Sequence, residues 1–191
     1  MNYKALKNDV FRLGNYQVLA YREDDRYTIR EWRNQQMDIL RQKKTLTKAD
    51  QDNYFANFIV PSFSQTEPRI MLFSFLLDGQ CIGYGGLTNI DWEYKRIELS
   101  FLVDTERTKD AEIYSSDFSA FITLMKRITF EELDFNRMYT ETYDIRPLHI
   151  SILEKNGFIP EGRMKEHAFI NGRFVDSLIH GLLKKDHYAK R

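Results

Sequence analysis

A mixed α/β domain is what this sequence predicts, on three observations. Residues 70–103 read as a three-strand antiparallel meander, residues 138–183 run strand, helix, hairpin, and the helical stretches carry apolar residues on one side.

In chain order, Tyr16 to Tyr21 has the make-up of a short first strand. Thr28, with Glu31 three residues on, reads as a capping box. It opens a helix from Ile29 to about Gln42 with Ile29, Trp32, Arg33, Gln36, Ile39 and Leu40 on one face. A second helix opens at Thr47, takes Asp50 into an acidic first turn and ends at Pro61, which cannot continue the hydrogen-bond ladder. Ile70 to Leu77 is a nearly continuous apolar run closed by an Asp78-Gly79 turn. The returning strand, Cys81 to Leu87, is interrupted by Gly83, Gly85 and Gly86, which mark a bulge or a backbone that something approaches closely. Arg96 to Val103 completes the meander after a turn at Asp91 to Tyr94. A helix from about Asp117 to Leu133 gathers Phe118, Phe121, Ile122, Met125, Ile128 and Phe130 on a broad apolar side. Met138 to Tyr143 is a strand, and Arg146 to Asn156 a helix stopped by Gly157. Last comes a hairpin, Met164–Ile170 with Arg173–Leu183, joined by Asn171-Gly172, the strongest turn signal in the chain. That two-residue loop sets Ile170 opposite Arg173, and so His167 opposite Asp176. The total is about seven strands in one mixed sheet flanked by about four helices, a single domain over residues 1–191.

Composition narrows the function classes. Lys plus Arg and Asp plus Glu are 28 each, so no global basic field calls for nucleic acid as a partner. Cys81, the single cysteine, excludes an internal disulfide and a Cys-rich zinc site, and the four histidines lack metal-ligand spacing; no metal is expected. Met1-Asn2-Tyr3-Lys4 begins no apolar signal core, and Ile70–Leu77 is too short to span a bilayer. A cytoplasmic protein with no membrane partner is the expectation.

Four stretches carry a resemblance. Ile29-Arg30-Glu31-Trp32-Arg33-Asn34 is similar to the first-helix signature of the ribosomal-protein and nucleotide-amino-sugar branch of the Gcn5-related N-acetyltransferase (GNAT) family. Ile82-Gly83-Tyr84-Gly85-Gly86-Leu87 and Ile97-Glu98-Leu99-Ser100-Phe101-Leu102-Val103 resemble two central strands of that family. Ile152 to Phe158, with Glu161-Gly162 and Ile170 to Asp176, resembles its C-terminal end.

The resemblance implies acetyl transfer from acetyl-CoA, as co-substrate, to the primary amine of a small molecule or peptide: a nucleotide-linked amino sugar or a protein N-terminus. A homodimer is compatible with it. The amine must lose a proton before it attacks, and Glu98 on an otherwise apolar strand is the candidate base. The backbone of Phe101, Leu102 and Val103 would pair the pantetheine arm as an added strand and offer the oxyanion donor. Trp32, Arg33 and Tyr84 are the candidate acceptor contacts, Trp32 to stack on a base and Arg33 to meet phosphate. Arg41, Lys43 and Lys44, at the more basic end of that helix, could also dock an acceptor, with a solvated face as the stronger reading of those three.

Two departures stand out. The family's diphosphate loop, Gln/Arg-x-x-Gly-x-Gly/Ala, corresponds to residues 104–117, which contain no glycine. Arg107 holds its first position, Asp110 and Glu112 stand where glycines belong, and Ser115 or Ser116 could cap the following helix. Arg107 and Lys109 would then reach phosphates by side chain. In the next helix Arg146, His149 and Leu153 replace the family's Asn, Ser and Tyr. Arg146 is a candidate donor contact. The tyrosine that protonates the leaving thiolate is missing, and either His149, as an imidazolium, or Tyr143, which alternates with Tyr139 and Glu141 on one strand face, could replace it. The glycine-free loop also supports an alternative, a binding module that has kept the fold and lost the donor site.

Overall fold

The computed structural model describes residues 1–189. One eight-stranded sheet has the order β1-β2-β3-β4-β5-β6-β8-β7. The strands are β1 (Val10–Leu13), β2 (Tyr16–Ala20), β3 (Met71–Leu77), β4 (Gln80–Asp91), β5 (Arg96–Val103), β6 (Arg137–Tyr143), β7 (Ile159–Ile170) and β8 (Arg173–Leu183). Helices α1 (Arg26–Gln35), α2 (Lys48–Tyr54) and α3 (Val60–Ser64) lie between β2 and β3. Helix α4 (Ala111–Lys126) connects β5 to β6, α5 (Pro147–Lys155) connects β6 to β7, and α6 (Lys184–Ala189) follows β8. The mixed α/β class is as expected from sequence. β1, an edge hairpin turned by Gly14 at φ 55°, is the added strand.

Several boundaries differ for local reasons. α1 begins at Arg26, so Thr28 lies inside it; a 3-10 turn over Glu23–Asp25 feeds the helix directly. Asp25 is held by Arg22 and Ser74 and makes no cap. The helix stops at Gln35, short of Gln42. Pro61 does not end the second helix: a π turn over Phe55–Ile59 precedes it, and Pro61 enters the first turn of α3, where no N–H is required. α4 begins at Ala111 because the Asp110 side chain caps it, accepting from the N–H groups of Glu112 and Ile113 at 2.9 and 3.0 Å. Neither Ser115 nor Ser116 is the cap.

The terminal hairpin has the expected Ile170–Arg173 register, then loses it at a bulge between Met164 and Ala168, where Glu166 has φ 50°. His167 is therefore not opposite Asp176. Asp176 accepts from Arg163 (2.7 Å) and from the Glu166 N–H (2.8 Å), while His167 lies 3.5 Å from Glu141.

Adjacent residues of β5 point to opposite faces, and this sorts the helices. Phe101 stacks on Phe118 of α4, with centroids 4.6 Å apart. Leu102 lies opposite Tyr84 of β4, whose hydroxyl is held by Arg33 of α1. The expected apolar side of α4 is buried: Phe118, Phe121, Ile122 and Met125 fill the space beneath it. The sequence's glycine run is explained by proximity. A Cβ on Gly85 would stand 2.2 Å from the Ser100 carbonyl oxygen and 3.0 Å from Phe121, so bare backbone lets α4 press onto β4.

The decisive feature lies between β5 and β6. They run parallel and pair only at Arg96–Arg137, Ile97–Met138 and Glu98–Tyr139. Beyond Glu98 the strands part, and Leu99–Val103 loses its β6 neighbour.

Candidate active site

Glu98 occupies the fork, as the last β5 residue paired with β6. Its side chain is nearly buried, and both carboxylate oxygens are bonded. Arg41 donates to one at 2.8 Å and Asn89 to the other at 2.6 Å. Asn89 reaches it because β4 bulges between Thr88 and Asp91, where Asn89 takes φ 46°, a conformation Asn tolerates better than most residues. Arg41 also donates to Glu141 on β6 at 2.8 Å. Burial works against the Arg41 charge, yet the Glu98 and Glu141 carboxylates more than offset it and hold its pKa above the usual guanidinium value. A cation thus bridges two carboxylates across the opening strands.

A cleft of about 320 Å³ opens at this fork, lined by Arg33, Arg41, Glu98, Phe101, Glu141 and His149 among others. Its free β5 edge is a row of backbone groups with no strand partner. At the far end that row is already closed: Gln36 donates to the Val103 carbonyl at 2.9 Å and to Thr105 at 3.0 Å. Of the three backbone positions expected to receive an arm, Phe101 and Leu102 lie along the parted edge, whereas the Val103 carbonyl is taken. Across the gap, the Thr142 hydroxyl of β6 is buried with no hydrogen-bond partner. An unsatisfied buried hydroxyl facing an unpaired strand is a place where an added polar chain would be stabilised.

The other expected site residues fall into three groups. Trp32 is in the core, only 7% exposed, so its role as a stacking platform for a base is corrected. Arg33 and Tyr84 are joined by a short hydrogen bond, and Gln42 accepts from Arg33 at 3.0 Å. Arg33 therefore reaches the cleft with neutral partners only. Tyr143 shares the β6 face of Glu141 and lines a side recess with Arg41 and Arg146.

His149 is buried and stacked on Phe118 at 4.1 Å. Burial, then the charge of Arg146 and the neighbouring His180, push its pKa well below 6.5, so the imidazolium expected from sequence is corrected to a neutral ring. Arg146 donates to the Tyr114 hydroxyl at 2.9 Å, and that hydroxyl lies 2.7 Å from His149 Nδ1.

Residues 104–117 use up their own charges. Arg107 makes a two-point pair with the fully buried Asp117 at 2.6 and 2.9 Å, and Tyr16 donates to the same carboxylate at 2.9 Å. Lys109 binds both oxygens of Glu106 at 2.7 Å. Neither cation projects toward the cleft as a free side chain.

Asn89 and Gln36 are site residues that the sequence reading does not place in the site, and Arg41, read there as more solvated than docking, bridges Glu98 and Glu141. An Asn closing a glycine-interrupted strand is the one signal that pointed to the bulge.

A sheet that parts at a carboxylate and leaves one strand edge unpaired is the framework of an acyl-transfer fold, with room for an extended thioester arm beside that carboxylate. The family model of the acetyltransferase (GNAT) domain matches residues 18–179, and the chain belongs to that family. Members are N-acetyltransferases that use acetyl-CoA as co-substrate, and this chain is one of them. No curated protein matches it in sequence. Among solved structures it is similar to a spermidine N-acetyltransferase from Vibrio cholerae in complex with CoA and spermine, at 17% identity, TM-score 0.80, covering 92% of this chain and 99% of that one. A dodecameric form of spermidine N-acetyltransferase from Vibrio cholerae in an intermediate state gives TM-score 0.77 at 16% identity, covering 93% and 99%. A probable acetyltransferase gives TM-score 0.72 at 18% identity, covering 93% and 98%. At these identities the likeness is one of fold.

The residues present fit one half of the donor. The open β5 edge and the Thr142 hydroxyl suit the pantetheine arm. The start of α4 does not suit the diphosphate, because Asp110 already occupies the N–H groups that would meet it.

Proposed function

We propose that the chain acetylates a primary amine that is cationic at neutral pH, with Glu98 as the base that removes its proton. The observation that carries this reading is the pairing of β5 with β6, which stops at Glu98 and leaves the carboxylate beside the free edge. Acetyl-CoA supplies an acetyl thioester. Glu98 takes one ammonium proton, the freed amine attacks the thioester carbonyl, and the C–S bond breaks to release CoA as its thiolate. Asn89 and Arg41 position the carboxylate, and the unpaired backbone of Phe101 and Leu102 orients the arm. Tyr143, in preference to His149, which carries no charge to give up, protonates that thiolate, and the proton shed by the acylated nitrogen restores the Tyr143 hydroxyl. Arg41 stands where the acceptor ammonium would sit between Glu98 and Glu141, and moves out to admit it.

Two carboxylates at the fork support a small cationic amine as acceptor, and the polyamines of the similar solved structures are the first to try. Burial of Trp32 removes the support for a nucleotide-linked amino sugar. A peptide α-amine, also cationic, remains the second candidate acceptor.

The experiment is acetyl-CoA turnover over a panel of polyamines, amino sugars and peptides, with products read by mass spectrometry. Glu98→Gln should cut the rate about a hundredfold with unchanged thermal unfolding; an undiminished rate removes Glu98 from its role.

A further inference from the structure

Acetyl transfer at the open β5 edge is the reading on which this inference rests. An arm lying along β5 with its reacting end at Glu98 directs its tail toward Asp104, since the strand ends at Val103 and the chain turns there into α4. Four carboxylates fall within residues 104–112: Asp104, Glu106, Asp110 and Glu112. Asp104 accepts from the Glu106 N–H at 3.0 Å, and Asp110 from those of Glu112 and Ile113. Arg107 is committed to Asp117 of α4 and Lys109 to Glu106. A diphosphate arriving there meets negative charge and amides already bonded.

Arg146, at the start of α5, differs. It lines the cleft, and among the described residues its hydrogen-bond partner is the neutral Tyr114 hydroxyl, with no carboxylate in contact. A single guanidinium on a neutral partner can take one phosphate by side chain.

We infer that this chain reads its donor through the pantetheine arm and one phosphate beside Arg146, leaving the nucleotide half of acetyl-CoA unheld at α4. A 4′-phosphopantetheine thioester then serves as donor as well as acetyl-CoA does. Asp110 is the residue that sets this preference, because its carboxylate closes the α4 amides.

The test is a titration of the isotope-labelled protein with CoA, 4′-phosphopantetheine and pantetheine, following backbone amides by NMR and affinity by calorimetry. CoA and 4′-phosphopantetheine should bind within fivefold of each other, moving Phe101 and Leu102 amides while Glu112 and Ile113 stay in place. CoA binding more than fivefold tighter, with Glu112 and Ile113 shifting, overturns the inference and leaves the acetyl-transfer reading intact. Absence of binding by all three sinks the acetyl-transfer reading itself. Arg146→Gln should weaken 4′-phosphopantetheine at least fivefold and leave pantetheine unchanged; equal effects on both remove the phosphate contact. Asp110→Gly, which frees the Glu112 and Ile113 amides at little cost to the helix start, should tighten CoA alone, and an equal change for 4′-phosphopantetheine removes Asp110 as the cause.

Discussion

The two ends of the parted β5 edge are built on opposite principles. At the fork, Glu98 and Glu141 share one guanidinium, and Arg41 is half exposed, so the cation that holds them is itself in contact with water. At the far end, Asp117 is fully buried and receives Arg107 and Tyr16, while Asp110 caps the helix that follows. The same residue types do different work in the two places. Carboxylates held by a half-exposed cation at a cleft are within reach of a ligand, and carboxylates locked into a loop serve the fold.

Removing one carboxylate from each end separates the two. Asp117→Ala leaves Arg107 and Tyr16 facing an apolar gap and should cost about 3 kcal/mol, the low end for a broken buried pair because Arg107 keeps some solvent. Glu141→Ala should change stability by about 1 kcal/mol or less, since Arg41 stays solvated and keeps Glu98. Urea unfolding of both variants checks the contrast; equal losses would mean that the fork is as structural as the loop.

The glycine-bearing strand between these ends gives a smaller effect. Gly85→Ala places a methyl against the Ser100 carbonyl and Phe121, and overpacking at that contact should cost about 2 kcal/mol. Because Ser100 lies on β5 itself, the substitution should also move the Phe101 and Leu102 amides. A stable variant with unchanged amide shifts would show that β5 is not held in place by this contact.

What the sequence made legible follows from range. The meander, the buried side of α4 and the Asn171-Gly172 turn depend on neighbours two to four residues away, and periodicity reports those directly. Glu98 was readable because a lone carboxylate breaks an apolar strand. Its partners were not: Arg41 arrives from 57 residues away on a segment outside any helix, and Asn89 is aimed by a bulge whose position depends on packing. The α4 boundary is set by Asp110, an N-cap residue standing where the family pattern has glycine. His167 and Asp176 were paired by counting back from a sound turn, and one bulge undid the count. Burial was the remaining blind spot. Trp32 and His149 were treated as available side chains, whereas each is packed inside.

His149 supplies the smallest effect and the sharpest check on which face of the cleft carries the chemistry. Burial beside Arg146 holds its folded pKa well below 6.5, so the native protein binds fewer protons than the unfolded chain once the pH falls through that value. Its contribution is fully present above the unfolded pKa and is lost as pH falls below it, by about 1 kcal/mol per pH unit between pH 6 and 5. The carboxylates held low by their partners, Asp50, Asp91, Asp134 and Asp176 among them, stay ionised over that interval and do not contribute. His149→Phe keeps a ring against Phe118 and removes the proton, so the unfolding free energy of the variant should fall less steeply than that of the wild type over the same interval. Parallel slopes would show that the imidazole is charged in the folded protein, and the role of returning a proton to the thiol would then pass from Tyr143 to His149.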